Sequence, residues 1–332
     1  MKVWFNHWFS TAYYFIDSLK KDGFYVIASN KRESCVYKTN ADEFYVEPDL
    51  ENEEYLAYCL DFCKSHNIDI FVPRKGMNYI IQHLAEFDTL GMKVLCESNK
   101  EVFDIFNSKV KTASYFKDLN ISVSVPESIL VNSVDDFISA YNSIKAHWGE
   151  VCIKYDSDEG GQSYKRISPH EPNIGRISEN NGLVYSLEYV VACLESVKEF
   201  KPIVVMPYLN GTEISVDCLG VDDKFIAVPR QKLSNRVTHF EQDSRLYAIC
   251  RELWRASGLN TPFNVQFRYH NNELYILEVN TRLSGGSWKA KYVGVDFISL
   301  AIHNLIGDVV EIPEMHFQPK DLSNLEGVIE LC

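Results

Sequence analysis

The sequence predicts a chain of mixed α and β structure that opens with a small α/β sheet, and three observations predict it. Short β-type runs alternate with segments of helical spacing over the first hundred residues, and the pattern changes near Lys100. Further on, two apolar runs at 263–270 and 273–277 flank Asn271-Asn272, a turn-forming pair, and read as a hairpin. A length of 332 residues suggests two or three domains, each able to bury a substantial core.

In the first hundred residues the β-type runs are 2–5, 25–28, 44–46, 68–72 and 93–95, and helical spacing covers 10–20, 53–65 and 77–87. Strands that alternate with helices build an open α/β sheet. The run Glu51-Asn52-Glu53-Glu54 reads as a first helical turn, where negative charge is favoured. After the first strand stand Asn6-His7-Trp8-Phe9-Ser10, with no glycine until Gly23, so the glycine-rich turn of a dinucleotide site is missing. His7 is expected to cap or pack near the following helix.

Beyond Lys100 the expected elements are a helix at 109–119, a strand near Ile129, a helix at 134–146 and the strand Val151-Cys152-Ile153-Lys154. Lys154 ends that strand before an irregular loop containing Asp156, Asp158, Glu159, Gly160, Gly161 and Ser163. A lysine beside a glycine pair lets an ammonium reach phosphate while backbone N–H groups approach unobstructed, although a Gly-Gly pair also serves simply as a hairpin turn. The apolar strand from Ile203 then leads into Met206-Pro207-Tyr208-Leu209-Asn210-Gly211-Thr212-Glu213. Read as an unpaired linker, it offers Met206 C=O and Leu209 N–H to an adenine edge, Pro207 having no N–H, and Glu213 to ribose hydroxyls. Read otherwise, it is a tight crossover with Glu213 solvated. A helix at 241–256 carries Tyr247, Leu253 and Trp254 at core spacing, His239 and His303 lack partners at metal-ligand spacing, and 292–306 reads as a helix beside a Gly294 turn.

The second hairpin run continues into Glu278-Val279-Asn280-Thr281-Arg282-Leu283-Ser284-Gly285-Gly286. Side chains alternate along a strand, so Glu278 and Asn280 share a face, and Gln266 on the preceding run can join them. Three oxygen donors of this kind suit Mg²⁺, which takes few carboxylates and leaves positions for substrate phosphates. The plain alternative is a strand that ends in a polar turn.

Composition excludes several classes. With 33 Lys+Arg against 46 Asp+Glu the net charge is -13, which disfavours nucleic-acid binding. Nine dispersed cysteines indicate neither a disulfide framework nor a zinc ribbon and favour a reducing, cytoplasmic compartment. No leader or membrane-length apolar run is expected.

The order and spacing of Lys109, Lys154 with Gly160-Gly161, the 206–213 segment, and Gln266, Glu278 and Asn280 resemble the elements of the ATP-grasp superfamily. Among its branches the chain looks most like the carbamoyl-phosphate synthetase and biotin carboxylase type. The resemblance implies an α/β and α+β fold: a Rossmann-like pre-ATP-grasp domain (1–98), then a two-subdomain ATP-grasp fold, the first subdomain carrying a lid loop (99–205) and the second the metal site (206–332). It implies that Lys109, Lys154, Gly160, Gly161 and Ser163 meet ATP phosphates. It further implies that Met206, Tyr208 and Leu209 hold adenine, Glu213 holds ribose, and Gln266, Glu278 and Asn280 hold Mg²⁺ or Mn²⁺. Arg282 matches the arginine at the transferred phosphoryl group, Arg230 a substrate-side arginine, and residues 284–287 the acceptor site.

Two departures stand out: the lid is unusually acidic, and an amide, Gln266, stands where some branches carry an acid. The implied activity is ATP-dependent ligation of a small carboxylate, of amino-acid or peptide-like type, to an amine through an acylphosphate, releasing ADP and phosphate. The alternatives are an ATP-binding sensor or scaffold with little turnover, and a bicarbonate-activating, carboxyphosphate-forming enzyme. Small-molecule partners are expected, with neither nucleic acid nor membrane, and a homodimer is compatible with this reading.

Overall fold

A computed structural model describes residues 1–119, 121–156, 163–168, 183–325 and 327–331. The chain opens with β1 (Lys2–Asn6), α1 (Ala12–Lys21), β2 (Tyr25–Asn30), β3 (Glu43–Val46), α2 (Asn52–His66), β4 (Ile70–Val72), α3 (Met77–Ile80), α4 (Leu84–Thr89) and β5 (Lys93–Val94). The strands form one sheet in the order β3-β2-β1-β4-β5, every neighbour parallel. A parallel sheet is covered on both faces, which is why Val3, Trp4 and Phe5 of β1 are apolar in succession rather than alternating. Val3 and Phe5 join the core formed with Ala12, Phe15, Ile16 and Leu19 of α1. Trp4 faces the other way and stacks on Phe71 at 4.3 Å and Phe62 at 4.4 Å. Glu53 and Glu54 lie in the first turn of α2, as their charge favours.

The helix expected over 77–87 is broken. His83 leaves helical geometry (φ -125°, ψ 23°), and its Nδ1 bonds Tyr79 O at 2.8 Å, the carbonyl that an unbroken helix would give to the His83 N–H. A helix outside the sequence expectations follows: α5 (Lys100–Asn107), started by Asn99, whose Oδ1 accepts from Glu101 N at 3.0 Å and Val102 N at 3.3 Å.

Next come α6 (Lys109–Asp118), β6 (Ile129–Val131), α7 (Val134–Trp148), β7 (Val151–Tyr155), β8 (Lys165–Ile167), β9 (Val184–Tyr185), α8 (Leu187–Glu195) and β10 (Ile203–Pro207). The strands form a second sheet, β6-β10-β7-β8-β9, with β7 antiparallel to β8 and β10. Helix α7 covers it with Phe137, Ala140, Tyr141 and Ile144, a stripe at helical spacing, against Ile153 and Val205.

The remaining elements are β11 (Glu213–Val221), β12 (Lys224–Lys232), β13 (Val237–Phe240), α9 (Ser244–Ser257), β14 (Phe263–His270), β15 (Glu273–Asn280), α10 (Phe297–Ile306) and β16 (Lys320–Ser323). Their sheet runs β15-β14-β11-β12-β13-β16. The β14–β15 turn has positive φ at both Asn271 (50°) and Asn272 (64°), the backbone that a tight hairpin needs. Gly220 is required by packing, because a Cβ there would enter the Trp254 ring of α9. The helix read at 292–306 is two elements: a 3₁₀ stretch at Ser287–Val293, then Gly294 at φ 91°, then α10.

The chain divides into two compact units. The first comprises Met1–Asp104, Ile214–Val265 and Asn280–Cys332, and the second Ile105–Glu213 and Gln266–Val279. Among the described residues no helix is long and apolar enough to cross a membrane, and all eight cysteines are free.

Candidate active site

In the second unit, β7 carries Lys154 one residue from its end and α6 opens with Lys109. Both reach one acid on β15. Lys154 Nζ donates to Glu278 Oε2 at 3.1 Å, and Lys109 Nζ stands 4.0 Å from the same oxygen. The lysine side chains are 12% and 9% exposed and that of Glu278 21%, so the cluster is sheltered without being sealed. Two ammonium groups from separate elements thus converge on one carboxylate.

Asp156 explains how Lys109 is held. Its carboxylate accepts from Ser108 Oγ at 2.7 Å, Lys109 N at 2.9 Å and Val110 N at 3.3 Å, at the N-terminus of α6. A negative charge there satisfies orphan N–H groups and the helix dipole. The acid that looked out of place in a phosphate-facing loop therefore meets helix-start donors. Asp158, Glu159, Gly160 and Gly161 lie outside the described residues; Ser163 accepts from Tyr155 N at 2.8 Å through its Oγ.

The linker expectation needs correction. Met206 and Pro207 belong to β10, in register with Cys152 and Val151 of β7, so the strand runs further than a break at proline suggests. Proline is tolerated at that end because the ladder stops there; Tyr208 N turns to Glu150 O at 2.9 Å. The connection is thus Tyr208 to Thr212. The Tyr208 ring lies under the Arg166 guanidinium at 4.3 Å, and Leu209 is buried. Glu213, expected solvated or ribose-facing, pairs with Arg268, which also donates to Leu209 O at 3.1 Å. Arg268 had no place in the sequence reading. Its signal was available, since it stands two residues after Gln266 on β14 and therefore on the same face.

In the first unit, Asp217 of β11 is 2% exposed and fully engaged. It accepts from Arg230 Nε at 2.5 Å, Asn264 Nδ2 at 2.8 Å and Ser284 Oγ at 2.8 Å. Arg230 also donates to Ser284 Oγ at 2.8 Å, so the two sequence-selected positions Arg230 and Ser284 meet through a buried acid that the sequence reading passed over. A polar residue at an inward position of an otherwise apolar strand was the available cue. The Arg282 guanidinium lies 5.7 Å from the Phe9 ring and donates to Leu283 O at 3.2 Å and Asn280 Oδ1 at 3.5 Å. Phe9 also carries Arg74, at 4.2 Å.

His7 does not cap α1. Its Nδ1 accepts from Lys31 N at 3.5 Å, its backbone is left-handed (φ 45°), and burial first, then nearby Lys75, Arg74 and Lys31, pulls its pKa down against the opposing pull of Glu47. Among the described residues no three His, Cys, Asp or Glu side chains gather as a metal cage. Gln266 and Glu278 belong to the second unit, and Asn280 begins the last segment of the first. Within the second unit, a carboxylate and an amide oxygen are donor types that fit Mg²⁺ when phosphate oxygens complete its shell.

A profile of the family described as "ATP-grasp in the biosynthetic pathway with Ter operon" matches residues 199–328. The chain is similar in structure to the biotin carboxylase domain of Hydrogenobacter thermophilus 2-oxoglutarate carboxylase, solved as a dimer with MgADP, ADP and bicarbonate. Identity is 16%, the match covers 94% of this chain and 70% of that one, and the TM-score is 0.66. It is similar to N5-carboxyaminoimidazole synthetase from Staphylococcus aureus in complex with ADP, at 14% identity, 93% and 78% coverage and TM-score 0.66. An L-amino acid ligase from Bacillus licheniformis matches at 12% identity, 93% and 74% coverage and TM-score 0.64. At these identities the likeness is one of fold.

Proposed function

We propose that the chain is an ATP-grasp enzyme of biotin-carboxylase-like architecture, an ATP-dependent, ADP-forming ligase that joins a small carboxylate to an amine; the family match over residues 199–328 and the likeness of fold support this reading. The observation that carries this reading is the convergence of Lys154 and Lys109 on Glu278. Ammonium groups gathered beside an acid suit a polyphosphate with a divalent ion: ammonium groups for the phosphate oxygens, a carboxylate for the metal.

In this reading Lys109 and Lys154 bind the phosphate oxygens, together with Gly160, Gly161 and Ser163. Met206, Tyr208 and Leu209 line the base, and Glu213, oriented by Arg268, takes the ribose hydroxyls. Glu278, Gln266 and Asn280 would hold Mg²⁺ or Mn²⁺, which supplies neutralising charge to the β and γ oxygens during phosphoryl transfer. Arg282 adds fixed positive charge at the transferred group, and Arg230 faces the substrate. The substrate carboxylate oxygen bonds to the γ-phosphorus as the bond to the ADP oxygen breaks. The amine nitrogen then bonds to the acyl carbon, phosphate leaves, and the nitrogen gives up a proton. No protein nucleophile is needed. We read 1–98, 99–205 and 206–332 as the pre-domain, the lid subdomain and the metal subdomain. The free cysteines support a reducing compartment such as the cytoplasm.

The test is nucleotide product analysis on the purified protein against a panel of carboxylates and amines. ADP and phosphate should appear only when both partners are present, and Glu278→Ala should lower the rate by about a hundredfold or more. AMP and pyrophosphate as products, or full turnover by Glu278→Ala, would overturn the reading. So would tight ATP·Mg²⁺ binding without turnover of any pair, which would make the protein a sensor.

A further inference from the structure

The first unit contains a cavity of about 880 Å³, lined by residues of the β1–α1 segment, by Gly285, Gly286, Trp288, Lys289 and Tyr292, and on one side by residues 322–325 and 327–329. This lies within the range of small-molecule pockets, roughly 300–1,000 Å³. Its composition is uneven in a way that selects a ligand.

One part is aromatic. Tyr14 stacks on Trp288 with ring centroids 3.7 Å apart and planes 10° apart. Tyr13 meets Tyr14 edge-on at 5.5 Å, and Tyr292 meets Trp288 at 6.2 Å, so four rings form one continuous run. Two of them are well exposed, Tyr14 at 39% and Tyr292 at 55%. Aromatic surface left open to water around a cavity gains from covering by an apolar or aromatic group.

The other part is cationic. Lys289 Nζ donates to Thr238 Oγ1 at 2.9 Å and makes no ion pair with a carboxylate among the described residues. Burial lowers its pKa, and the neighbouring Arg230 and Lys232 lower it further, the mark of positive charge crowded in one place. Gly286 admits Arg230 to the same edge, since a Cβ there would lie 2.5 Å from Arg230 Nη1. Asp217 offsets only Arg230. In a chain of net charge -13, such a local surplus calls for an anion.

We infer that this cavity binds a monocarboxylate bearing an aromatic or bulky apolar group, its carboxylate at Lys289 and its apolar part on the Tyr13, Tyr14, Trp288 and Tyr292 wall. That this ligand is a substrate rests on the ligase reading; that it binds does not. Calorimetry on the whole chain without ATP separates the two, with L-phenylalanine, L-alanine, L-phenylalaninamide and inorganic phosphate as probes. L-Phenylalanine should bind about tenfold or more tightly than L-alanine and than its amide. Lys289→Met should weaken it by about tenfold or more, and Tyr292→Ala, at an exposed site that folding tolerates, by about threefold. Equal affinity for L-phenylalanine and L-alanine, undiminished binding by Lys289→Met, or preferential uptake of inorganic phosphate would each overturn the inference. If L-phenylalanine binds as stated and no carboxylate drives ADP formation, the ligase reading fails and the pocket stands. If small polar carboxylates alone drive ADP formation, with no affinity for L-phenylalanine, the pocket assignment fails and the ligase stands.

Discussion

Asp217 sits 2% exposed in the middle of β11 and accepts from Arg230, Asn264 and Ser284, whereas Glu278 has a side chain 21% exposed on β15 and faces two lysines at 3.1 and 4.0 Å. The first acid is matched by one rigid guanidinium and neutral donors, with its desolvation offset by several bonds at once. The second meets two ammonium heads on flexible side chains. A buried pair with several fixed donors holds a structure, while a partly open cluster of flexible side chains can rearrange around a ligand. The same two residue classes thus make a buried, fully hydrogen-bonded pair in one unit and a partly open cluster in the other.

The sharpest way to break that comparison is to delete each acid in turn. Asp217→Ala should cost about 3–5 kcal/mol in urea unfolding, because it strands a buried guanidinium, while Glu278→Ala should cost about 1 kcal/mol or less, because lysine heads can turn toward water. Equal losses would show that both are structural. A smaller effect is expected at Asp156, which links the second cluster to its helix. Asp156→Ala should destabilise by about 1 kcal/mol, the usual worth of an N-cap acceptor, and should speed amide exchange at 109–111. Unchanged exchange there would mean that Lys109 is held by other contacts.

The smallest effect tests a pair built on neither plan. His239 Nδ1 lies 2.6 Å from Asp321 of β16, and this hydrogen bond, ahead of Glu241, raises its pKa above 6.5. The protonated form is the one stabilised in the folded chain. The contribution is therefore full below pH 6.5, and is lost as pH rises through the raised folded value. Amide exchange across 320–323 should accelerate over that interval, modestly, because the pair is exposed. A pH-independent strand, or one that tightens as pH rises, would contradict it.

Much of the framework was legible because it depends on local periodicity. The alternating first hundred residues, the stripe on α7 and the Asn271-Asn272 turn each follow from side-chain direction and backbone preference within a short window. The misreadings have non-local or side-chain causes. His83 breaks a helical pattern by occupying a carbonyl with its ring, and β10 runs through Pro207 because β7 happens to pair that far. The start of α5 is signalled locally by Asn99, and Val102, Phe103 and Phe106 follow at helical spacing.

For the candidate site, position at a strand end pointed to Lys154 and Glu278, and the resemblance to the ATP-grasp pattern to Lys109, Arg230 and Ser284. Tertiary structure alone decided who meets whom: that two lysines from separate elements share one carboxylate, that Asp156 anchors a helix rather than repelling phosphate, and that Arg268 and Asp217 hold residues they are far from in sequence. Local chemistry is written residue by residue, but an ion pair depends on distance in space. Between Lys109 and Glu278 the chain supplies that distance only by folding.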